Sequence, residues 1–308
     1  MSTPKISVVM TTYNGMKYII EQLESIRLQS IPPDEVLIFD DCSSDDTPII
    51  VREYISNNRL TNWHFFINER NLGWKKNFYQ GLKRVNGEFI FLSDQDDVWD
   101  NMKIEKMVDS FNLNSNISLL CCNYTLKSEN HIDIGKRIRQ KIKNDGELKK
   151  VLFSPKFHLV GRPGCTYCIK KGFLEKVLEC WVDDYAHDKL LWNAAILDQS
   201  LFCLNSPLVI FRRHENNASS KGPTLERNER MKNHMTDIDV FNKLVKTIDL
   251  DFNHKQAKTL CRYKKWLDLR LSFFEKSTLL KTLKLFAYID FYSSIKSFFA
   301  DLLSRNRK

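Results

Sequence analysis

The 308-residue chain is short of cysteine: it has eight, at positions 42, 121, 122, 165, 168, 180, 203 and 261. They are too sparse and too irregular for a disulfide framework, so a reducing compartment is expected. Cys165 and Cys168 have the spacing of a redox or zinc pair. No second such pair accompanies them, and positions i and i+3 of an extended segment face opposite sides, so no zinc or redox role is assigned to them. No signal peptide is expected, since Met1 leads directly into an apolar strand. No run approaches the ~18 uncharged apolar residues that a spanning helix needs. Synthesis and retention on the cytoplasmic side are expected. No internal repeat is apparent.

Core material is plentiful. Apolar residues make up 43% of the chain, with 20 Phe, 10 Tyr and 6 Trp, which belongs to an ordered globular protein. The length suits one large α/β domain with an added helical piece, or two domains. The net charge of +9 is confined: residues 1–220 carry equal numbers of acidic and basic side chains, and the whole excess falls in residues 221–308. A nucleic-acid-binding surface would be spread more widely, so no nucleic acid partner is expected. A basic segment rich in Phe, Leu and Tyr suits an anionic membrane surface better.

Two periodicities alternate through the first third of the chain. Residues 6–10 form a short apolar run of strand type, and residues 17–28 place apolar side chains at helical spacing. Residues 35–39 read as a second buried strand, after which Thr47 and Pro48 offer a helix N-cap followed by proline at the first helical position. Residues 63–67 are a third strand, 74–84 a helix and 89–92 a fourth strand. This alternation predicts an α/β protein with a mostly parallel central sheet flanked by helices, whose ligands bind beyond the carboxyl ends of the strands. Further on, strands are expected at 118–124, 165–169 and 208–211, with a helix starting near Lys171. Residues 131–150 read as a surface excursion. From about Pro223 strand signals vanish and a run of helices follows, so a boundary is expected near residue 220, between a catalytic unit (1–220) and a basic helical extension (221–308).

Polar residues collect where the predicted strands end. The first strand ends in Thr11-Thr12-Tyr13-Asn14-Gly15, the second in Asp40-Asp41 and the fourth in Ser93-Asp94-Gln95-Asp96-Asp97. In a parallel sheet all three meet at one edge. Asp94, Asp96 and Asp97 would repel one another unless a cation sat among them. Hard ions such as Mg²⁺ or Mn²⁺ take oxygen ligands, often one or two carboxylates completed by substrate phosphate and water, so the cluster reads as half a metal site awaiting a diphosphate. A nucleotidyltransferase would carry a glycine-rich, basic phosphate loop after its first strand, whereas residues 11–16 hold one glycine and no basic residue before Lys17. Taken alone, Asp188 reads as a helix N-cap, Lys75 and Lys76 as a solvated helix face, and His214 as a loop histidine.

Taken together, residues 6–15, 36–47, 71–73 and 92–99 resemble the family 2 glycosyltransferases of GT-A fold over residues 5 to about 215. The form Ser93-Asp94-Gln95-Asp96-Asp97-Val98-Trp99 resembles the bacterial branch described as rhamnosyltransferases of O-antigen and capsule assembly. That resemblance implies a nucleotide site in which Thr11 and Tyr13 hold a pyrimidine, Asn14 lies alongside, Asp41 accepts the ring N–H, and Asp94 addresses the ribose or metal. Asp96 would coordinate the divalent ion, Mn²⁺ or Mg²⁺, with His214 meeting the metal or the diphosphate. Lys76 (or Lys75) and Arg212 (or Arg213) would add charge near the diphosphate. Asp188, in Tyr185-Ala186-His187-Asp188, matches the catalytic base position, and Gly164, Cys165, Thr166, His187 and Trp192 fall on the acceptor side. Lys189 stands where the family usually has an aromatic residue, which marks the sugar or acceptor pocket as a point of departure.

The function so implied is inverting transfer of rhamnose from dTDP-rhamnose to a lipid-linked or oligosaccharide acceptor. A UDP-hexose donor is the alternative, and a silent nucleotide-sugar-binding module is the alternative of another class. The joint presence of Asp41, Asp94, Asp96 and Asp188 argues against silence. Residues 279–308 repeat apolar side chains at helical spacing, with Lys281, Lys284, Lys296 and Arg305 between or beyond them. This segment either lies in the interface of the inner membrane face or packs on the catalytic unit.

Overall fold

In the computed structural model, residues 5–128, 143–215 and 226–304 are described. The expected boundary near residue 220, most of the excursion expected from residue 131, and Arg305 lie outside them. The chain begins with β1 (Ile6–Thr12), α1 (Ile19–Arg27), β2 (Glu35–Asp40), α2 (Thr47–Asn57), β3 (Trp63–Ile67), α3 (Trp74–Leu82) and β4 (Phe89–Ser93). Every element expected in this part is present. Helix α2 differs in how it starts. Thr47 is its first residue, with Asp46 at the N-cap position. The carboxylate of Asp45 accepts the Thr47 N–H at 3.0 Å. The Thr47 hydroxyl instead accepts the backbone N–H of Gly15 at 2.8 Å and so ties the end of β1 to the start of α2.

The chain continues through β5 (Val98–Trp99), α4 (Lys103–Leu113), β6 (Leu119–Ser128), β7 (Leu148–Lys150), β8 (Tyr167–Lys170), α5 (Lys171–Leu178), α6 (His187–Leu197) and β9 (Leu201–Arg213). Three expectations need correction here. The strand expected from residue 165 starts at Tyr167, because Gly164–Thr166 form a single 3-10 turn. The strand expected at 208–211 is the end of the much longer β9. Its Asn205-Ser206-Pro207 stretch reads as a turn, but β9 bulges there, opposite Asn123 of β6, and pairing resumes without ending the strand. Residues 148–150, expected as excursion, pair antiparallel with β9.

The sheet order is β3-β2-β1-β4-β8-β6-β9-β5, with β7 also on β9. β3, β2, β1 and β4 are parallel throughout. β8 runs antiparallel to both β4 and β6, and β6 and β9 are parallel. Register places Thr12 opposite Asp40 and Met10 opposite Ser93, so the three polar strand ends do meet at one edge.

Alternation along β1 sends Ile6, Val8 and Met10 into one apolar cluster and Val9 into the other. The second cluster runs on into α7 (Arg227–Thr247), α8 (His254–Glu275), α9 (Leu279–Phe286) and α10 (Ile295–Leu303), where Phe241, Trp266 and Phe298 are buried together with Phe291 of the turn between α9 and α10. Each such side chain contributes about 1.5–3 kcal/mol by leaving water. The C-terminal helices therefore share a core with the sheet face that carries α6.

Candidate active site

Three strand-end loops are laced into one frame. Gln95 brackets Tyr13, accepting its N–H at 2.8 Å and donating to its carbonyl at 2.9 Å. Asn14 adopts a left-handed conformation (φ 49°), donates its N–H to Ser43 Oγ at 2.9 Å and accepts the Ser44 N–H on Oδ1 at 2.8 Å. Gly15 leaves room for that amide: a Cβ there would lie 2.2 Å from Gln95 Oε1 and would push it off Tyr13. Thr11 is buried, while Tyr13 is 47% exposed and presents its ring at the mouth of the site.

Both carboxylates at the end of β2 are engaged. Asp40 accepts from the hydroxyls of Thr12 at 2.7 Å and Ser43 at 2.6 Å. Asp41 accepts the backbone N–H groups of Leu72 and Gly73, each at 2.8 Å, and the Asn68 amide at 2.9 Å. Asp41 thus fixes the Asn71-Leu72-Gly73 turn, in which Gly73 has φ 82°.

The acidic cluster is held under electrostatic stress. Asp96 and Asp97 are buried and Asp94 half-buried. Burial, followed by the charges of Asp97, Asp96 and Asp188, raises Asp94 well above the usual carboxylate range. Burial and the Asp96 charge push Asp97 up to about 7. Asp97 Oδ1 accepts the Arg212 N–H at 3.1 Å, whereas its buried Oδ2, near the Cys165 thiol, makes no close hydrogen bond among the described residues. One ligand atom each from Asp94, Asp97 and Cys165 lie within 4.8 Å of one another. His214 Nε2 stands 2.8 Å from Asp96 Oδ2, and its ring stacks on Tyr18 at 4.7 Å. Crowded carboxylates, an orphaned acid oxygen and an adjacent imidazole form a donor set that suits a hard divalent cation.

The other predicted residues divide into two groups. Asp188 opens α6, with Oδ1 accepting the Lys189 N–H at 2.7 Å, and its charge reaches Asp94. Gly164 lies against it: a Cβ at 164 would be 2.9 Å from His187 Nε2 and 3.2 Å from Asp188 Cβ. Cys165 and Thr166 are buried behind. Asp188, Asp94, Asp96, His214 and the Gly164–Thr166 turn are therefore neighbours.

His187, Trp192 and Arg212 are buried, and Lys76 is committed to a partner at the surface. His187 is buried 3.9 Å from the Phe78 ring, and burial lowers its pKa to about 4, so it is neutral. Trp192 donates Nε1 to the Phe157 carbonyl at 3.1 Å. Lys76 pairs with Asp183 at 3.1 Å, and Lys75 donates to the Asp184 carbonyl at 2.6 Å, so both tie α3 to the loop before α6. Arg212 is buried, donating Nε to the Asp96 carbonyl at 2.9 Å and Nη2 to Glu21 at 2.8 Å beneath Tyr18. It orients the segment that carries Asp96. Lys189, in place of an aromatic, pairs with Asp237 on α7.

Sequence reasoning missed Gln95, Tyr18 and Lys103. Lys103 is fully buried, donates Nζ to the Cys165 carbonyl at 2.7 Å and lies 3.5 Å from the Trp99 ring centroid. A lysine just after an acidic motif reads as solvated, so only the fold reveals it.

Comparison with known proteins agrees with this arrangement. The family model described as "Glycosyl transferase family 2" matches residues 7–178. The dTDP-rhamnosyl transferase RfbG of Shigella flexneri is 32% identical over 223 residues, covering 68% of this chain and 72% of that protein. The UDP-Glc:alpha-D-GlcNAc-diphosphoundecaprenol beta-1,3-glucosyltransferase WfgD of Escherichia coli is 34% identical over 202 residues, covering 65% of this chain and 73% of that protein. Among solved structures, Staphylococcus aureus TarS 1–349 in complex with UDP-GlcNAc superposes with a TM-score of 0.65 at 18% identity, over 97% of this chain and 81% of that chain. The fold is GT-A, as the strand-end motifs implied.

Proposed function

We propose that this chain, which belongs to glycosyl transferase family 2, moves rhamnose from dTDP-rhamnose onto a lipid-linked or oligosaccharide acceptor with inversion at the anomeric carbon. It is a glycosyltransferase of bacterial cell-surface polysaccharide synthesis. The donor sugar, the acceptor and the individual residue roles are our reading. One observation carries it: Asp94 and Asp96, Asp188, His214 and the Gly164–Thr166 turn, far apart in sequence, meet at the carboxyl edge of the parallel strands.

In this reading Tyr13 and Thr11 hold the pyrimidine, with Asn14 alongside and Asp41 beside the ring N–H. Asp94 addresses the ribose, while Asp96 and His214 hold a divalent ion, Mn²⁺ or Mg²⁺. An ion held there would supply Lewis-acid neutralisation of the diphosphate charge. Asp188 removes the proton of the acceptor hydroxyl as its oxygen attacks opposite the leaving group; such a base contributes typically about 10²–10⁴-fold. One displacement inverts the configuration. Gly164, Cys165 and Thr166 border the acceptor side, with His187 and Trp192 supporting them from within. The likeness to RfbG favours dTDP-rhamnose. The names of WfgD and the TarS complex favour the second reading, a UDP-hexose or UDP-N-acetylhexosamine donor. Among the described residues no helix is long and apolar enough to cross a membrane, and we place the enzyme on the cytoplasmic side, where such donors are made.

Thermal melting with a panel of dTDP, UDP and GDP compounds, with and without Mn²⁺, tests this reading. Binding to the native state at a hundredfold excess over Kd adds about 2.7 kcal/mol of stability. The expected result is stabilisation by dTDP-rhamnose that needs metal and is lost in Asp96→Ala. If a UDP-sugar stabilises instead, the second reading takes over. If no pyrimidine nucleotide shifts the melting point, the donor site is wrong.

A further inference from the structure

Helices α9 and α10 bear two apolar faces each. Their inner sides are buried: Leu285 on α9 and Phe298 on α10 belong to the main core, with Phe291 and Tyr292 between the helices. Among the described residues nothing covers their outer sides. Leu279, Leu280, Leu283 and Phe286 on α9, and Ile295, Phe299 and Leu303 on α10, are between 51% (Phe299) and 76% (Leu279) exposed. The two helices adjoin, since Phe286 meets Phe298 at 5.9 Å. Single exposed apolar residues are ordinary, but seven large ones on two adjoining helices form a patch that calls for an occupant.

Charge identifies the occupant. The whole positive excess of the chain lies in residues 221–308. Lys276, Lys284 and Lys296 are exposed beside these apolar side chains. Lys281 is committed elsewhere, donating to the Ser272 and Lys276 carbonyls at 2.6 and 2.9 Å. A second copy of this chain would bring the same lysines against themselves, whereas an anionic lipid leaflet offers both an apolar interior and negative headgroups.

The patch is also rigidly joined to the acceptor side of the active site. Phe298 meets Tyr292 at 5.4 Å, Tyr292 meets Trp266 at 5.3 Å, Trp266 meets Tyr263 at 5.4 Å, and Tyr263 meets Phe157 at 4.7 Å. Phe157 in turn accepts the indole N–H of Trp192 on α6, the helix that begins with His187 and Asp188. An aromatic column thus runs from the buried side of α10, behind the exposed face, to the helix bearing the proposed base.

We propose that the outer faces of α9 and α10 seat in the interfacial layer of an anionic bilayer, and that the aromatic column holds the acceptor side of the site in fixed relation to that surface. The link to the acceptor rests on the functional reading above; the membrane contact does not. The test is flotation of the full chain with vesicles of phosphatidylethanolamine containing one-third phosphatidylglycerol, against vesicles of phosphatidylcholine alone. Wild type should partition to the anionic vesicles at least tenfold more, and the difference should shrink with added salt. Leu280→Ser/Leu283→Ser/Phe299→Ser should lose binding to both at an unchanged melting temperature, because these side chains are exposed. Lys284→Glu/Lys296→Glu should lose roughly tenfold or more on anionic vesicles only. Wild type that stays in the buffer, or a triple-serine variant that floats as well as wild type, overturns the proposal. So does a lipid-free dimer that the triple variant converts to monomer, which would make the patch a contact between copies. A chain that floats yet binds no pyrimidine nucleotide leaves this inference standing and removes the donor reading.

Discussion

Removing the carboxylate of Asp301 tests how the C-terminal helices are held. Asp301 lies in α10, completely buried. Its Oδ2 accepts from Arg270 Nε at 2.6 Å, and its Oδ1 from Arg270 Nη2 at 3.0 Å and Arg230 Nη1 at 3.1 Å. One side chain therefore clamps α10 to α7 and α8. Arg270 is enclosed by aromatic rings, its guanidinium 5.3 Å from the centroids of Trp266 and Phe274. Truncation to alanine leaves that cation, only 20% exposed, without its counter-ion, which costs about 3–5 kcal/mol. Cation–π attraction to these rings, worth about 0.5–1 kcal/mol, still stabilises the orphaned cation and keeps the cost in the lower part of that range. Of a total stability of about 5–15 kcal/mol, a loss near 3–4 is large. In urea, with a slope of about 3 kcal/mol per molar for a chain of this size, the midpoint of Asp301→Ala should fall by roughly 1 M. Far-UV circular dichroism across the transition measures it. Asp301→Leu/Arg270→Met should recover at least half of the loss, since an apolar pair can replace a buried ion pair. A midpoint unchanged in Asp301→Ala, or a double variant worse than the single, would refute the clamp.

Other outcomes follow from the same geometry. Asp188→Asn should lower kcat by about 10²–10⁴-fold while nucleotide stabilisation persists, because the base is lost and the donor site is not; equal loss of both would remove Asp188 from the base role. Gly164→Ala forces a methyl to within 2.9 Å of His187 Nε2 and 3.2 Å of Asp188 Cβ, so turnover should fall at least tenfold with a stability loss of about 1–3 kcal/mol, and an active, fully stable variant would show that this contact relaxes freely. Acidification should destabilise the fold through His158, His187 and His234, whose pKa values burial lowers to about 3, 4 and 4. Each takes up its proton more readily when unfolded, so its contribution is complete above about pH 6.5 and falls by about 1.4 kcal/mol per pH unit below it. Asp97 opposes this trend, since its raised pKa means that protonation relieves repulsion as the pH falls. Replacing His158 with Phe should therefore flatten the acid limb of the melting-temperature profile; an unchanged slope would rule out a neutral buried His158.

The parallel half of the fold was legible because its strands are short apolar runs punctuated by polar ends, and helical periodicity fills the gaps between them. β9 was not, since Asn205-Ser206-Pro207 has the composition of a turn and only pairing with β6 keeps it extended. At the site, the convergence of the polar strand ends was legible, because a parallel sheet brings the ends of β1, β2 and β4 together whatever their detailed packing. Long charged side chains were a different matter. Lys76, Lys103 and Arg212 all reach partners distant in sequence, Asp183, the Cys165 carbonyl and Glu21. Nothing local distinguishes a lysine that snorkels to solvent from one that crosses to another loop.

The same limit explains the ambiguity of the last helices. Packing on the body of the protein and lying in a membrane interface look like rival readings when apolar residues are counted along a sequence. Helical geometry makes them compatible: with a period of 3.6 residues, Leu285 can face the core while Leu279 and Leu283 face outward. Phe298 and Phe299 show the same division one residue apart. The buried face, reinforced by the Asp301 clamp, provides the rigidity that an outward face needs if it is to hold a second surface in register with Asp188. A lone amphipathic tail on a flexible tether could bind lipid equally well but would impose no orientation on the active site. That difference makes the clamp and the lipid face a coupled pair of tests. If Asp301→Ala loosens α10, partition to anionic vesicles should largely survive, while transfer to an acceptor embedded in them should fall relative to transfer to a soluble one.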